Sequence, residues 1–207
     1  KVQDPKFYGG EPIWVTAEKQ GLKTASYFWV GTEAPIGGIY PSKWKEYEHN
    51  FPFEARIDSI VSWFSLPINK RPRFCSLYFH EPDWTGHETG PRSQETEAVV
   101  SHLDSLFGDL ISKLEQLPIS NNLNIIAVAD HGMAEISSER TVDLSAYTDM
   151  SQIIQEGSGP YAFLYSKKKN IIEPAVDQLK KAEHISVYLK SDIPERFHFK
   201  THHRIKD

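Results

Sequence analysis

Two short runs of the chain each pair a carboxylate with an imidazole. They are Glu81-Pro82-Asp83-Trp84-Thr85-Gly86-His87 and Ala129-Asp130-His131-Gly132-Met133. Carboxylate oxygen and neutral imidazole nitrogen are zinc donors, binding at about 2.0–2.2 Å. Two metal ions about 3.5–4 Å apart clamp the attacking and departing oxygens of an in-line displacement at phosphorus. In Asp83-x-x-x-His87 the spacing lets both side chains reach one ion from a turn or a first helical turn. The adjacent pair Asp130-His131 needs a strand end that bends. Gly86 and Gly132 are expected to relax the backbone at such bends. Taken alone, either set is ordinary, since an Asp-His dipeptide is more often a turn or a helix cap. Their joint placement carries the reading.

Positioning these residues requires a scaffold. Residues 73–79 and 123–129 are apolar runs that read as buried strands, and each delivers one of the two sets at its carboxyl end. In an open α/β sheet that is where ligands gather. Residues 24–30, rich in β-branched and aromatic types, read as a further strand. Helices are expected after Pro12, over residues 53–64 and over residues 93–117. In the last, Val99, Leu103, Leu106, Phe107, Leu110, Ile111 and Leu114 mark one apolar face. Residues 31–50 form a long loop carrying Tyr40, Trp44 and Tyr47. Later segments give strands over 161–165 and 184–189, a helix over 171–181 and a short strand at 141–144. Strands alternating with helices predict an α/β sandwich with a mainly parallel sheet.

A chain of 207 residues suits one domain, or most of one. Net charge of −5 lacks the basic footprint of non-specific nucleic-acid binding, so no duplex partner is expected. The single Cys75 excludes an internal disulfide framework. No run approaches the ~20 apolar residues of a membrane span. The run Lys167-Lys168-Lys169 reads as a solvated turn.

The two runs, written out as Glu81-Pro82-Asp83-x-x-Gly86-His87-x-x-Gly90-Pro91 and Ala129-Asp130-His131-Gly132-Met133, resemble the nucleotide pyrophosphatase/phosphodiesterase family of the alkaline phosphatase superfamily. The likeness extends through Glu11-Pro12-Ile13-Trp14, Phe28-Trp29-x-Gly31-x-Glu33, Pro52-Phe53-Glu54-x-Arg56 and Arg71-Pro72-Arg73-Phe74, in the family's order. It implies an alkaline-phosphatase-like α/β/α sandwich, with residues 1–207 as the central portion of a single catalytic domain.

The resemblance also implies two zinc ions per complete site. Asp83 and His87 match two ligands of one, and Asp130 and His131 match two of the other. The family's remaining aspartate ligand and its threonine nucleophile belong to a segment ahead of this chain's first residue, and a third histidine to a segment beyond its last. Ser26, Thr24 and Thr85 do not occupy the nucleophile's context. His202 and His203 lack the glycine-rich setting of the missing histidine and read as surface or sheet-edge residues. By itself the chain is expected to be inactive.

Within the complete protein the resemblance implies hydrolysis of phosphodiester or pyrophosphate bonds of nucleotides. Nucleoside 5'-monophosphates would be released through a covalent threonyl intermediate, outside the cytoplasm. Tyr47 matches a position whose ring stacks on the nucleotide base, and Trp29 one close to the nucleotide. Each has a bland alternative: a ring closing its own loop, or core packing. Trp84 shapes the pocket or merely packs, and His80 is a candidate to orient a ligand or a solvated loop residue. Rival functions are a phosphomonoesterase, a choline-lipid phosphodiesterase, or a non-catalytic zinc-stabilised binding module.

Overall fold

A computed structural model describes residues 3–200, 202, 204 and 205, which fall into two compact units divided after Glu135. The first unit is built on a three-stranded parallel sheet, β1 (Thr24–Tyr27), β2 (Lys43–Lys45) and β3 (Phe74–Leu77), with β1 in the middle. Ala25 pairs with Lys43 on one side and Cys75 on the other. All four residues of β1 are buried. A parallel strand covered on both faces reads this way. The Ser26 and Ser76 hydroxyls meet at 2.9 Å across the β1–β3 ladder and satisfy each other inside the core. Strand β1 stops earlier than its apolar run because Phe28 turns to φ 64°, a left-handed conformation that no ladder accommodates.

Helix α1 (Ile13–Lys19) starts directly after Pro12 and packs on β1. Gly21 ends it at φ 78°. The Leu22 N–H donates to the Ala17 carbonyl and the Gly21 N–H to Glu18, which is a Schellman closure. Helix α2 (Phe53–Phe64) and helix α4 (Gln94–Glu115) pack against each other, α2 also covering β1 and β3. Leu106, Leu110 and Leu114 lie one turn apart on α4 and are buried with Ile57, Ile60, Tyr27 and Phe28. Each such aliphatic side chain contributes about 2 kcal/mol on leaving water. Ser93 caps α4 by accepting from the Thr96 N–H at 3.1 Å. Trp14, Val15, Ala34 and Ile36 form a second cluster.

The apolar run 123–129 is not a buried strand. It is irregular, and Ile126 and Val128 are 84 % and 69 % exposed. A strand exists only as part of a ladder, and among the described residues none pairs with this one.

The second unit holds an antiparallel pair, β4 (Ile154–Glu156) with β5 (Phe163–Tyr165), and helix α5 (Lys169–Leu179), whose Ala175 and Leu179 are buried. Residues 141–144 and 184–189, expected as strands, find no ladder partner either; Leu144 opens a 3-10 turn and 184–189 stay irregular. Among the described residues, no helix is long and apolar enough to cross a membrane.

Candidate metal and nucleotide site

Three loops leave the carboxyl ends of the three parallel strands. They carry Trp29 after β1, Tyr47 after β2 and Asp83 after β3. Asp83 is the first residue of helix α3 (Asp83–Thr89), with His87 one turn on. Pro82 at the cap position offers no side-chain acceptor, and Glu81 supplies one instead. Its carboxylate accepts from the Thr85 N–H at 3.0 Å and the Thr85 hydroxyl at 2.9 Å. An anion at this helix end also meets the positive end of the helix dipole. The first glutamate of the run is therefore a cap that fixes the turn bearing Asp83.

The donors of the two runs come together around one oxygen. Asp83 Oδ1 lies 3.4 Å from His87 Nε2 and 3.9 Å from His131 Nε2, while His131 Nε2 lies 3.6 Å from Asp130 Oδ2. Asp83 Oδ1 is enclosed and has no hydrogen-bond partner. The rest of the Asp83 side chain is 47 % exposed, so only this one oxygen is shielded from water, where a cation or a protonated His87 would serve it. Tetrahedral ligands at about 2.0 Å from one ion stand about 3.3 Å apart. The Asp83–His87 pair has that separation, and the Asp83–His131 distance is wider. Among the described residues no three such side chains close on a single point. The donor types and the orphaned oxygen fit a cation held by pairs of ligands from the two runs.

His131 is oriented for such a role. Its Nδ1 lies 3.0 Å from the Gly132 carbonyl, and a proton there leaves Nε2 with the free lone pair. The same carbonyl, followed by Asp130 and Asp83, raises its pKa above the ordinary imidazole range. The His131 N–H donates to Asp130 Oδ1 at 3.1 Å. Neither Gly86 nor Gly132 adopts a left-handed φ, so neither relaxes a bend as expected. Gly86 is buried inside helix α3 instead.

Tyr47 is half-buried, its ring edge-on to Phe28 at 5.3 Å and its hydroxyl 3.0 Å from His49 Nδ1. Its backbone N–H donates to Glu33 Oε1 at 2.9 Å. Burial raises the Tyr47 pKa, with Arg56 opposing. Trp29 is half-buried beside the second cluster, and its carbonyl accepts from the Thr32 N–H and hydroxyl. His202 is exposed, and its Nδ1 accepts from the Arg204 N–H; His203 lies outside the described residues.

His80 and Trp84, each left open between a pocket role and a bland one, belong to an aromatic group with His49 and Phe53 beside the site. His80 is not solvated: it stacks on His49 at 4.0 Å, with Phe53 edge-on, and burial then His49 lower its pKa. Trp84, 55 % exposed, stands edge-on to His49 at 4.9 Å. Only the three-dimensional meeting of two loops reveals this. Arg56 belongs to the Pro52-Phe53-Glu54-x-Arg56 motif, yet its full burial carries no sequence signal.

The whole chain, residues 1–207, matches the model of the type I phosphodiesterase/nucleotide pyrophosphatase family. It belongs to that family. Venom phosphodiesterase CdcPDE of Crotalus durissus collilineatus is 38% identical over 213 residues, covering 99% of this chain and 26% of the venom protein. Ectonucleotide pyrophosphatase/phosphodiesterase family member 1 of Homo sapiens is 37% identical over 212 residues, covering 98% of this chain and 23% of the human protein. Among solved structures, murine ectonucleotide pyrophosphatase/phosphodiesterase 5, in an inactive threonine-to-alanine form with AMP, superposes with a TM-score of 0.88 at 32% identity. That match covers 99% of this chain and 55% of the murine one. The chain thus spans about a quarter of the length of these curated relatives. The α/β architecture is the alkaline-phosphatase-like one expected for the type I phosphodiesterase family.

Proposed function

We propose that the protein is a zinc-dependent nucleotide pyrophosphatase/phosphodiesterase that acts outside the cytoplasm and releases nucleoside 5'-monophosphates. The observation that carries this reading is the enclosed Asp83 Oδ1, which has no hydrogen bond and is flanked by His87 and His131 from two separate segments. In this reading Asp83 and His87 hold one zinc, and Asp130 and His131 hold the other. Zinc, when bound, supplies an activated hydroxyl near neutral pH and neutralises charge on the non-bridging phosphoryl oxygens.

The chain's own residues orient and bind. The Gly132 carbonyl orients the His131 ring with Nε2 on the Asp83 side, and Glu81 holds the first turn of α3 in place. Tyr47 offers a ring face to the nucleotide base, anchored by His49 and Glu33, and Trp29 borders the same strand ends. Stacking of this kind tolerates any base. The nucleophile is a threonine that lies outside residues 1–207, forming a covalent nucleotidyl intermediate that water then hydrolyses. Support for that step comes from the murine relative, whose inactive form replaces a threonine with alanine and was solved with AMP. The venom and ectonucleotide names of the relatives support action outside the cell.

The test is hydrolysis of thymidine 5'-monophosphate p-nitrophenyl ester by the full-length protein. Asp83→Ala and His131→Ala are each expected to drop turnover to background and to lower zinc content. Normal turnover by either variant sinks the assignment.

A further inference from the structure

Helix α3 meets the Asp130-to-Met133 run at a point that has no room for a side chain. Gly86 lies between Asp83 and His87 in sequence and is buried. A Cβ placed on it would stand 2.6 Å from Met133 Sδ and 3.1 Å from Met133 Cε, the first closer than side chains pack. The thioether therefore occupies the notch that the missing side chain leaves. The backbone of this run has no ladder to fix it: residues 124–136 are exposed, Met133 at 36 %, and among the described residues no backbone–backbone hydrogen bond engages residues 124–136. A segment without ladder or helix bonds is positioned by whatever side chains touch it.

We propose that Gly86 and Met133 are positioning residues for the metal site, a seat that sets the distance between the Asp83–His87 pair and the Asp130–His131 pair. Met133 follows His131 by two residues, so the seated thioether holds the backbone that carries the imidazole. His131 Nε2 then arrives 3.9 Å from Asp83 Oδ1. The inference rests on the two-zinc reading above and adds the device that brings its halves together.

Methionine has an unbranched, flexible side chain, so a methyl group at position 86 expels the thioether instead of colliding with it. That gives a clean cycle. Zinc dissociation constants are measured by chelator competition for the full-length protein and for Gly86→Ala, Met133→Ala, Met133→Leu and the Gly86→Ala/Met133→Ala double variant. Loss of an outer partner of a metal site weakens binding about 10–100-fold. Gly86→Ala and Met133→Ala are each expected in that range, while Met133→Leu, which keeps most of the volume, stays near the unaltered protein.

In the Met133→Ala background, Gly86→Ala is expected to have no further effect, because the contact it breaks is already gone. Melting temperatures in chelator provide the control. Alanine favours a helix over glycine, so Gly86→Ala should melt no lower than the unaltered protein while binding zinc less tightly. Equal zinc affinity for Gly86→Ala, or fully additive losses in the double variant, overturns the proposal. If the unaltered protein itself binds no zinc, the two-zinc reading falls and takes this proposal with it. If it binds zinc and only the cycle fails, the reading stands and the seat alone is wrong.

Discussion

Arg56 Nη1 donates to the Tyr78 carbonyl at 3.0 Å, tying helix α2 to the end of strand β3 just ahead of the Asp83 loop. The same guanidinium donates to Phe51 at 2.8 and 3.1 Å and to His49 at 3.2 Å, and it lies between the Phe28 and Phe53 rings at 4.8 and 4.6 Å. One buried cation thus fixes the Tyr47–His49 loop and the route into the ligand loop together. Lysine, a point-charge donor, cannot span three carbonyls. Arg56→Lys strands buried acceptors and is expected to cost about 3 kcal/mol. The urea midpoint of the variant checks this.

Glu81 is expected to act through the helix it caps. Glu81→Ala should lower stability by about 1 kcal/mol, the usual value of a cap. It should also weaken zinc binding through Asp83 in the same first turn. Thermal melting with and without zinc separates the two effects.

Glu18 joins α1 to the start of β1 and to the loop before β2. Its carboxylate accepts from the Thr24 N–H and hydroxyl, both at 2.7 Å, and from the Ser42 N–H and hydroxyl at 2.9 and 3.0 Å. Burial pushes its pKa up, but these bonds outweigh it and hold it below the ordinary 4.5. A depressed carboxylate pKa stabilises fully above the unfolded value, and the contribution is lost as pH falls through the folded one. The melting-temperature gap between the protein and Glu18→Gln should therefore be widest near pH 7 and narrow as the pH falls below 4.5 and through the folded pKa. A gap independent of pH contradicts the assignment.

Cys75 lies in β3, where burial pushes its thiol up to about 12. At pH 8 its thiolate fraction is about one in ten thousand. Iodoacetamide should label it slowly in the folded protein and quickly in urea. Fast labelling of the folded protein is the contrary result.

Much of the first unit was legible in advance, because β-branched and helical patterns report burial. Helix α2 has its expected bounds, and α4 lies within the expected 93–117, with Ser93 as its cap instead of its first residue. Periodicity does not report partners. Residues 123–129 are as apolar as β3, yet Ile126 stands exposed because no neighbouring strand is there to pair. The same limit hid the site's supports. Asp83, His87, Asp130 and His131 announced themselves by type and spacing. Gly86 looked like a hinge and is a notch; His80 looked solvated and is stacked. Those roles depend on which loops meet, and that is settled by packing across long sequence separations.

The most direct measurement is anomalous X-ray scattering at the zinc edge from crystals of the full-length protein. Two zinc peaks are expected, one against Asp83 and His87 and one against Asp130 and His131, with the first lost in Asp83→Ala. Zinc-free crystals of a protein that still hydrolyses the nucleotide ester in the presence of chelator would contradict it.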